Sequence, residues 1–321
     1  MARIAFLFPG QGSQTPGMGS ALTESYPAAR EAFDIADRVL PELWGSADVA
    51  LSRLCFEGPE DALRQTVYAQ PALYTTSAAA LFALRAAGIP VPQAVAGHSV
   101  GEYAALLAAG VFDFETGLRL VTRRAQEMQR AAESSSGTMA AVLGLAPEIV
   151  VEVCAAVSAE TRTIVDAANF NSPAQVVISG EVAAVEAAGA MAKERGAKKV
   201  IPLSVSGAFH SRLMTPAADA MKAVLDAAVF AAPTVPAIAN LTADYVDSGD
   251  AARAGLVAQI DHPVRWHESM ERLVADGFDT FVEVGHGSVL SGMIKRLAPD
   301  AVILQAGTPD DVEKCVQALV K

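Results

Sequence analysis

Gly97-His98-Ser99-Val100-Gly101 sets a serine between two glycines at the G-x-S-x-G spacing, the pattern of a nucleophile elbow. An apolar run at 94–96 precedes it and a helical stretch at 102–109 follows, so the serine falls on a strand-to-helix turn. That turn suits covalent catalysis. It forces the serine backbone into a strained conformation, and the flanking glycines let strand and helix approach closely. The hydroxyl then rests at a helix N-terminus, where free N–H groups and the helix dipole favour developing negative charge. The chemistry expected is attack by Ser99 on an acyl carbon.

A hydroxyl nucleophile needs a base, and five histidines are available: His98, His210, His262, His267 and His286. His98 adjoins the nucleophile, where neighbouring side chains on a sharp turn point apart. His262 precedes Pro263, and His267 lies five residues on, a spacing that builds no helical metal pair. His286 sits in a glycine loop. His210, in Ser206-Gly207-Ala208-Phe209-His210-Ser211, ranks first on the residues alone, with the others still open. No metal site is expected.

These residues need a frame. Apolar runs predict strands at Ile4–Phe8, 94–96, 139–143, 163–168, 175–179, 198–203, 237–240, 280–284 and Val302–Gln305. Helical periodicity predicts helices at 28–40, 70–87, 102–109, 114–132, 147–158, 182–195, 216–228, 253–260, 270–276, Val289–Leu297 and 310–320. Ser134-Ser135-Ser136-Gly137 is a linker signal, and the order that follows is β-α-β-β-α-β, the ferredoxin-like signature. The expected fold class is therefore α/β. A large α/β-hydrolase-like domain with a mostly parallel sheet (1–133 and 204–321) carries the elbow, and a small ferredoxin-like domain (134–203) is inserted into it.

Composition excludes several function classes. The chain has 321 residues, 52% of them hydrophobic and 6% aromatic, which favours helices on a buried parallel sheet over an aromatic-rich sandwich. A net charge of −12 argues against nucleic-acid binding, which needs a concentrated positive face. Three dispersed cysteines, Cys55, Cys154 and Cys315, suggest neither a disulfide framework nor a zinc site. With no signal-like leader and no membrane-length apolar stretch, a cytoplasmic protein is expected. A nucleotide-binding loop after the first strand fails, because Gly10-Gln11-Gly12 is followed by Thr15 rather than glycine.

Several motifs occur together: Phe8-Pro9-Gly10-Gln11-Gly12-Ser13-Gln14, Gln70-Pro71-Ala72-Leu73, Gly97-His98-Ser99-Val100-Gly101-Glu102, Asn169-Phe170-Asn171-Ser172-Pro173, Gly207-Ala208-Phe209-His210 and Glu283-Val284-Gly285. In this order and spacing the chain resembles the malonyl-CoA:acyl carrier protein transacylases over nearly its whole length. The resemblance implies Ser99 as the acylated nucleophile and His210 as its base, oriented by the backbone carbonyl of Gln259. It implies the N–H groups of Gln11 and Val100 as the oxyanion hole. It makes Arg124 the partner of the malonyl carboxylate, with Arg123 a neighbouring ambiguity. Gln70, Asn169 and Asn171 match substrate-side positions. Phe209 resembles the malonyl-selecting form, in which bulk excludes a branched methyl, and Val100 resembles the malonyl-type elbow.

The implied substrates are malonyl-CoA and the phosphopantetheine thiol of an acyl carrier protein, with no bound cofactor and a monomeric enzyme. The segment 46–54 looks longer than usual for the family. His286 and Ser288 stand where proline and lysine are frequent, a change that would weaken docking of coenzyme A phosphates or the carrier. The main rival is a serine hydrolase or thioesterase of the α/β-hydrolase type. That class places an acid between serine and histidine in the chain, for which Asp113 and Asp166 are formally available. A closer alternative is an acyltransferase subunit of a malonate decarboxylase or of a trans-acting polyketide system.

Overall fold

Short apolar runs bury both faces by pairing side by side under helices, and here they form two separate sheets. The computed structural model describes residues 2–46 and 49–320; positions 47 and 48 of the 46–54 segment lie outside the described residues. The strands are β1 (Ile4–Phe8), β2 (Ala94–Gly97), β3 (Gly137–Leu143), β4 (Val165–Ser172), β5 (Gln175–Glu181), β6 (Lys199–Pro202), β7 (Ala237–Ile238), β8 (Tyr245–Val246), β9 (Thr280–Glu283) and β10 (Val302–Gln305).

The first sheet runs β10-β9-β1-β2-β7-β8. Its pairs are parallel except for the β7–β8 hairpin. Every residue of β1 and β2 is buried. Along β1, Ile4, Phe6 and Phe8 face one apolar cluster while Ala5 and Leu7 face another. This two-residue alternation, apolar on both sides, is what a parallel sheet covered by helices requires.

The second sheet runs β4-β5-β3-β6 and is antiparallel. On β3, Ala140 and Val142 face a separate core under the helices Pro147–Thr161 and Val182–Glu194. Met139 and Ala141 face the main core. A parallel bridge between Asn169 and Val264, closed by Phe170 N–H to Val264 O at 2.9 Å, ties β4 to the first sheet's surroundings.

Boundaries differ from expectation where local chemistry intervenes. The helix expected from Gln70 starts at Thr66 and carries Pro71 inside it, so the proline marks an early turn rather than the start. The strand expected at 163–168 begins at Val165 and runs to Ser172, through register shifts that carry Asn169 and Asn171 into the sheet. The helix expected from 253 begins at Gly249, because the Ser248 side chain caps it by accepting Ala251 N–H. The helices Ser20–Ser25, Leu51–Glu57 and Glu60–Leu63 and the two-residue β8 are too short for periodicity to reveal. No helix among the described residues is long and apolar enough to cross a membrane.

Candidate active site

Parallel strands aim their carboxyl ends in one direction, and loops from four neighbours meet there. The 9–12 loop follows β1, the elbow follows β2, Asn240 follows β7, and the 284–288 loop follows β9. Phe8 pairs with Gly97 in register, which sets the first two loops side by side.

At the elbow, Ser99 holds a left-handed backbone with φ 52°, a conformation that costs a non-glycine residue on the order of 1 kcal/mol or more. Close approach is enforced at the glycines. A Cβ on Gly97 would lie 2.0 Å from Gly101 O, and one on Gly101 would lie 2.2 Å from Phe8 O. Asn240, buried, staples the turn from below: its Oδ1 accepts Ser99 N–H at 2.7 Å and its Nδ2 donates to Gly97 O at 2.6 Å. Among the described residues the N–H groups of Gln11 and Val100 donate no hydrogen bond, and both residues line the cleft.

His210 Nε2 lies 2.7 Å from Ser99 Oγ, and its Nδ1 lies 2.8 Å from the carbonyl of Gln259. A carbonyl only accepts, so Nδ1 carries the proton and Nε2 presents its lone pair to the serine. His210 too is left-handed, at φ 58°. Burial, reinforced by the charge of Arg124, pushes its pKa down to about 3, so the imidazole is neutral, with its Nε2 lone pair aimed at Ser99.

Arg124 comes from the helix Phe114–Ser134 and is 1% exposed. Its Nη1 donates to Gln70 Oε1 at 2.6 Å, and its Nη2 to Gln259 Oε1 at 2.9 Å and to Ser99 Oγ at 3.2 Å. Its Nε–H is buried without a partner among the described residues. A buried guanidinium held by two neutral amides keeps its full charge for an incoming anion. Arg123 instead points outward and pairs with Glu127 at 2.7 Å, which separates the two arginines.

A cleft of about 500 Å³ contains Ser99, His210 and Arg124 with Gln11, Gln70, Asn169, Asn171 and Phe209 on its lining. Asn171 Oδ1 is 2.9 Å from His98 Nε2, so this asparagine fixes His98 against the second sheet. Gln259 is reached through its carbonyl and its side chain alike. The other histidines stand apart: His262 on Asp261, His267 on Glu271, and His286 on Thr15 at the cleft's edge. The acids open to a hydrolase reading are engaged elsewhere. Asp113 caps the helix that carries Arg124, and Asp166 pairs with Arg212.

Two residues at this site have no role in the sequence reading: Asn240 and Glu102. Asn240 carries no motif signal. Glu102 closes the elbow motif and could have been found as an acid in the first turn of an otherwise apolar helix. Among the described residues no cluster of His, Cys, Asp and Glu could hold a metal ion.

Residues 5–316 match the acyl transferase domain family. A malonyl CoA-acyl carrier protein transacylase of Bacillus subtilis (strain 168) is 44% identical, over 99% of this chain and 98% of that protein. The crystal structure of an acyl-carrier-protein-S-malonyltransferase from Bartonella henselae superposes with a TM-score of 0.92 at 41% identity, covering 99% of each chain. A malonyl-transacylase solved in complex with a type II polyketide synthase acyl carrier protein gives a TM-score of 0.92 at 37% identity, covering 99% of this chain and 100% of that one.

Proposed function

The chain belongs to the malonyl CoA-acyl carrier protein transacylases of the acyl transferase family, and from that premise we propose how it moves a malonyl group from malonyl-CoA to acyl carrier protein through an ester on Ser99. One observation carries the reading: a single hydroxyl, Ser99 Oγ, sits 2.7 Å from a neutral imidazole and 3.2 Å from a buried guanidinium.

In the first half-reaction Ser99 Oγ attacks the thioester carbonyl while His210 Nε2 takes its proton. The N–H groups of Gln11 and Val100 hold the oxyanion, a stabilisation worth about 3 kcal/mol per donor. Collapse breaks the C–S bond, and His210 returns the proton to the departing coenzyme A thiolate. In the second half-reaction the carrier's phosphopantetheine thiol gives its proton to His210 and attacks the ester. Ser99 leaves and is reprotonated.

Arg124 reads the free carboxylate of the malonyl group, which an acetyl group lacks; leaving the guanidinium unpaired costs on the order of a few kcal/mol. Phe209 and Val100 supply the bulk that disfavours a methyl branch. Gln70, Asn169 and Asn171 shape the substrate side.

The same reading makes 134–203 a small ferredoxin-like domain, and 1–133 with 204–321 a larger domain of α/β-hydrolase type. It gives a cytoplasmic, monomeric enzyme with no bound cofactor, in keeping with three unpaired, buried cysteines. A hydrolase is disfavoured by the main-chain acceptor on His210 Nδ1, where that class uses a carboxylate. Service to fatty-acid or to polyketide carriers fits equally.

The test is intact-mass analysis after mixing with malonyl-CoA, acetyl-CoA or methylmalonyl-CoA. Wild type is expected to hold a malonyl adduct until a thiol arrives, and Ser99→Ala to hold none. Rapid release of free malonate without a thiol acceptor would make the enzyme a hydrolase.

A further inference from the structure

The mechanism leaves a buried acid beside the site unused. Glu102, on the first turn of the helix Gly101–Ala108, is 2% exposed. Its Oε2 accepts Gln259 Nε2–H at 2.5 Å and Asn240 main-chain N–H at 3.2 Å. Gln259 Nε2 also donates to Ser99 O at 3.0 Å, while its Oε1 accepts from Arg124 at 2.9 Å.

The Gln259 amide can stand only one way round. An ionised carboxylate only accepts and a guanidinium only donates. The NH2 must therefore face Glu102, and the carbonyl must face Arg124. The result is a chain from a buried negative charge, through one amide, to a buried positive one. Were the carboxylate set directly on Arg124, it would compete with the carboxylate of the substrate. Set one amide away, it orients the fork and offsets part of its burial cost without occupying it.

We propose that Glu102 is a positioning residue for substrate selectivity: by fixing the Gln259 amide it sets the Arg124 fork for the malonyl carboxylate, and by holding Asn240 it ties that setting to the Ser99 turn. The inference rests on the assignment of Arg124 to the malonyl carboxylate. Burial pushes the Glu102 carboxyl up to about 7, against the pull of Gln259, Asn240 and Arg124, which favour the ionised form.

The experiment compares kcat/KM for Ser99 acylation by malonyl-CoA and acetyl-CoA in wild type, Glu102→Gln, Gln259→Met and Arg124→Ala, with thermal unfolding of each. In Glu102→Gln the acceptor facing Gln259 becomes a neutral amide oxygen; Arg124 and the Ser99 carbonyl still favour the same amide orientation, but the charge that holds it in place is gone. Malonyl acylation is expected to fall about 30-fold, mainly in KM, and acetyl acylation by less than about 3-fold. Should Glu102→Gln not fold, Gln259→Met breaks the same chain while keeping the main-chain carbonyl for His210, and its malonyl acylation is expected to fall by more than its acetyl acylation. Equal loss for both donors, or an unchanged ratio, alongside an Arg124→Ala enzyme that has lost its malonyl preference, overturns the role of Glu102 alone. An Arg124→Ala enzyme that keeps the preference overturns the parent assignment, and this inference with it.

Discussion

The wall of the cleft that carries Ser99 and the wall contributed by the second sheet are held still by different means. On the first, the backbone is strained at Ser99 and His210, glycines sit where a methyl would overlap main-chain atoms, and a buried chain of polar groups runs from Glu102 to Arg124. On the second, Met139 and Val177 bring ordinary strand side chains to the cleft, and Asn171 makes a single bond to His98. Strain and buried polarity persist only where the surroundings over-determine them. On the proposed mechanism the reacting groups therefore lie on the strained, polar wall, and the facing wall supplies shape.

The sharpest way to break this contrast is to crowd the rigid wall. Gly97→Ala puts a methyl 2.0 Å from Gly101 O. The elbow must open, at a cost of about 3 kcal/mol in stability. Displacement of Ser99 by about 1 Å should cost on the order of 100-fold in acylation. Thermal unfolding and single-turnover acylation measure the two. If activity were retained at lowered stability, the strain at Ser99 would be incidental to catalysis.

A second test uses protons. The pKa of His210 falls from 6.5 to about 3 on folding, so its neutral form contributes stability that is fully present above pH 6.5 and fades as pH drops toward 3. Acylation by acetyl-CoA, which leaves out the Arg124–carboxylate interaction, should lose less than about 2-fold between pH 7 and pH 5. An ordinary imidazole would lose about 25-fold over the same interval. A drop of that larger size would mean that water reaches the imidazole on the catalytic wall. With malonyl-CoA a further decline is expected as Glu102 protonates through about 7.

On the shape-giving side effects should be smaller. Phe209, 6% exposed and lining the cleft, truncated to alanine should raise methylmalonyl acylation relative to malonyl by about 10- to 100-fold, the range a methyl-sized pocket commands. Competition between the two thioesters, read by adduct mass, measures it. An unchanged ratio would move branch exclusion to another residue.

What the chain discloses before folding follows the same divide. The elbow is legible because its chemistry is local: five consecutive residues, a strand before and a helix after. The order of the second sheet is legible because β-α-β-β-α-β is a pattern along the chain. The Gln259 hub is hard to read because its partners lie 49 to 160 positions away, and its identity matters through a side chain that no local pattern requires. Asn240 is hidden for the same reason, in the turn after the two-residue β7 with a left-handed Ala243 nearby. Arg124 becomes distinct from Arg123 only when helix phase turns one inward to Gln70 and the other outward to Glu127.

The smallest expected effect probes the seam between the two regions. Two residues after His210, Arg212 grips Asp166 of β4: Nη2 to Oδ1 at 2.8 Å, Nε to the same oxygen at 3.0 Å, and the main-chain N–H to Oδ2 at 3.0 Å. The pair is partly exposed, so solvent screens it, and removal of the guanidinium should cost about 0.5 kcal/mol. The His210 loop has a stronger restraint in the Gln259 carbonyl, and β4 has another in its bridge to Val264. Arg212→Ala should therefore reduce acylation by less than about 2-fold, with a stability change at the edge of detection in denaturant unfolding. A loss of 10-fold or more would mean that the second sheet steers the imidazole through this contact, and the division between a chemical wall and a shaping wall would have to be redrawn to include Asp166.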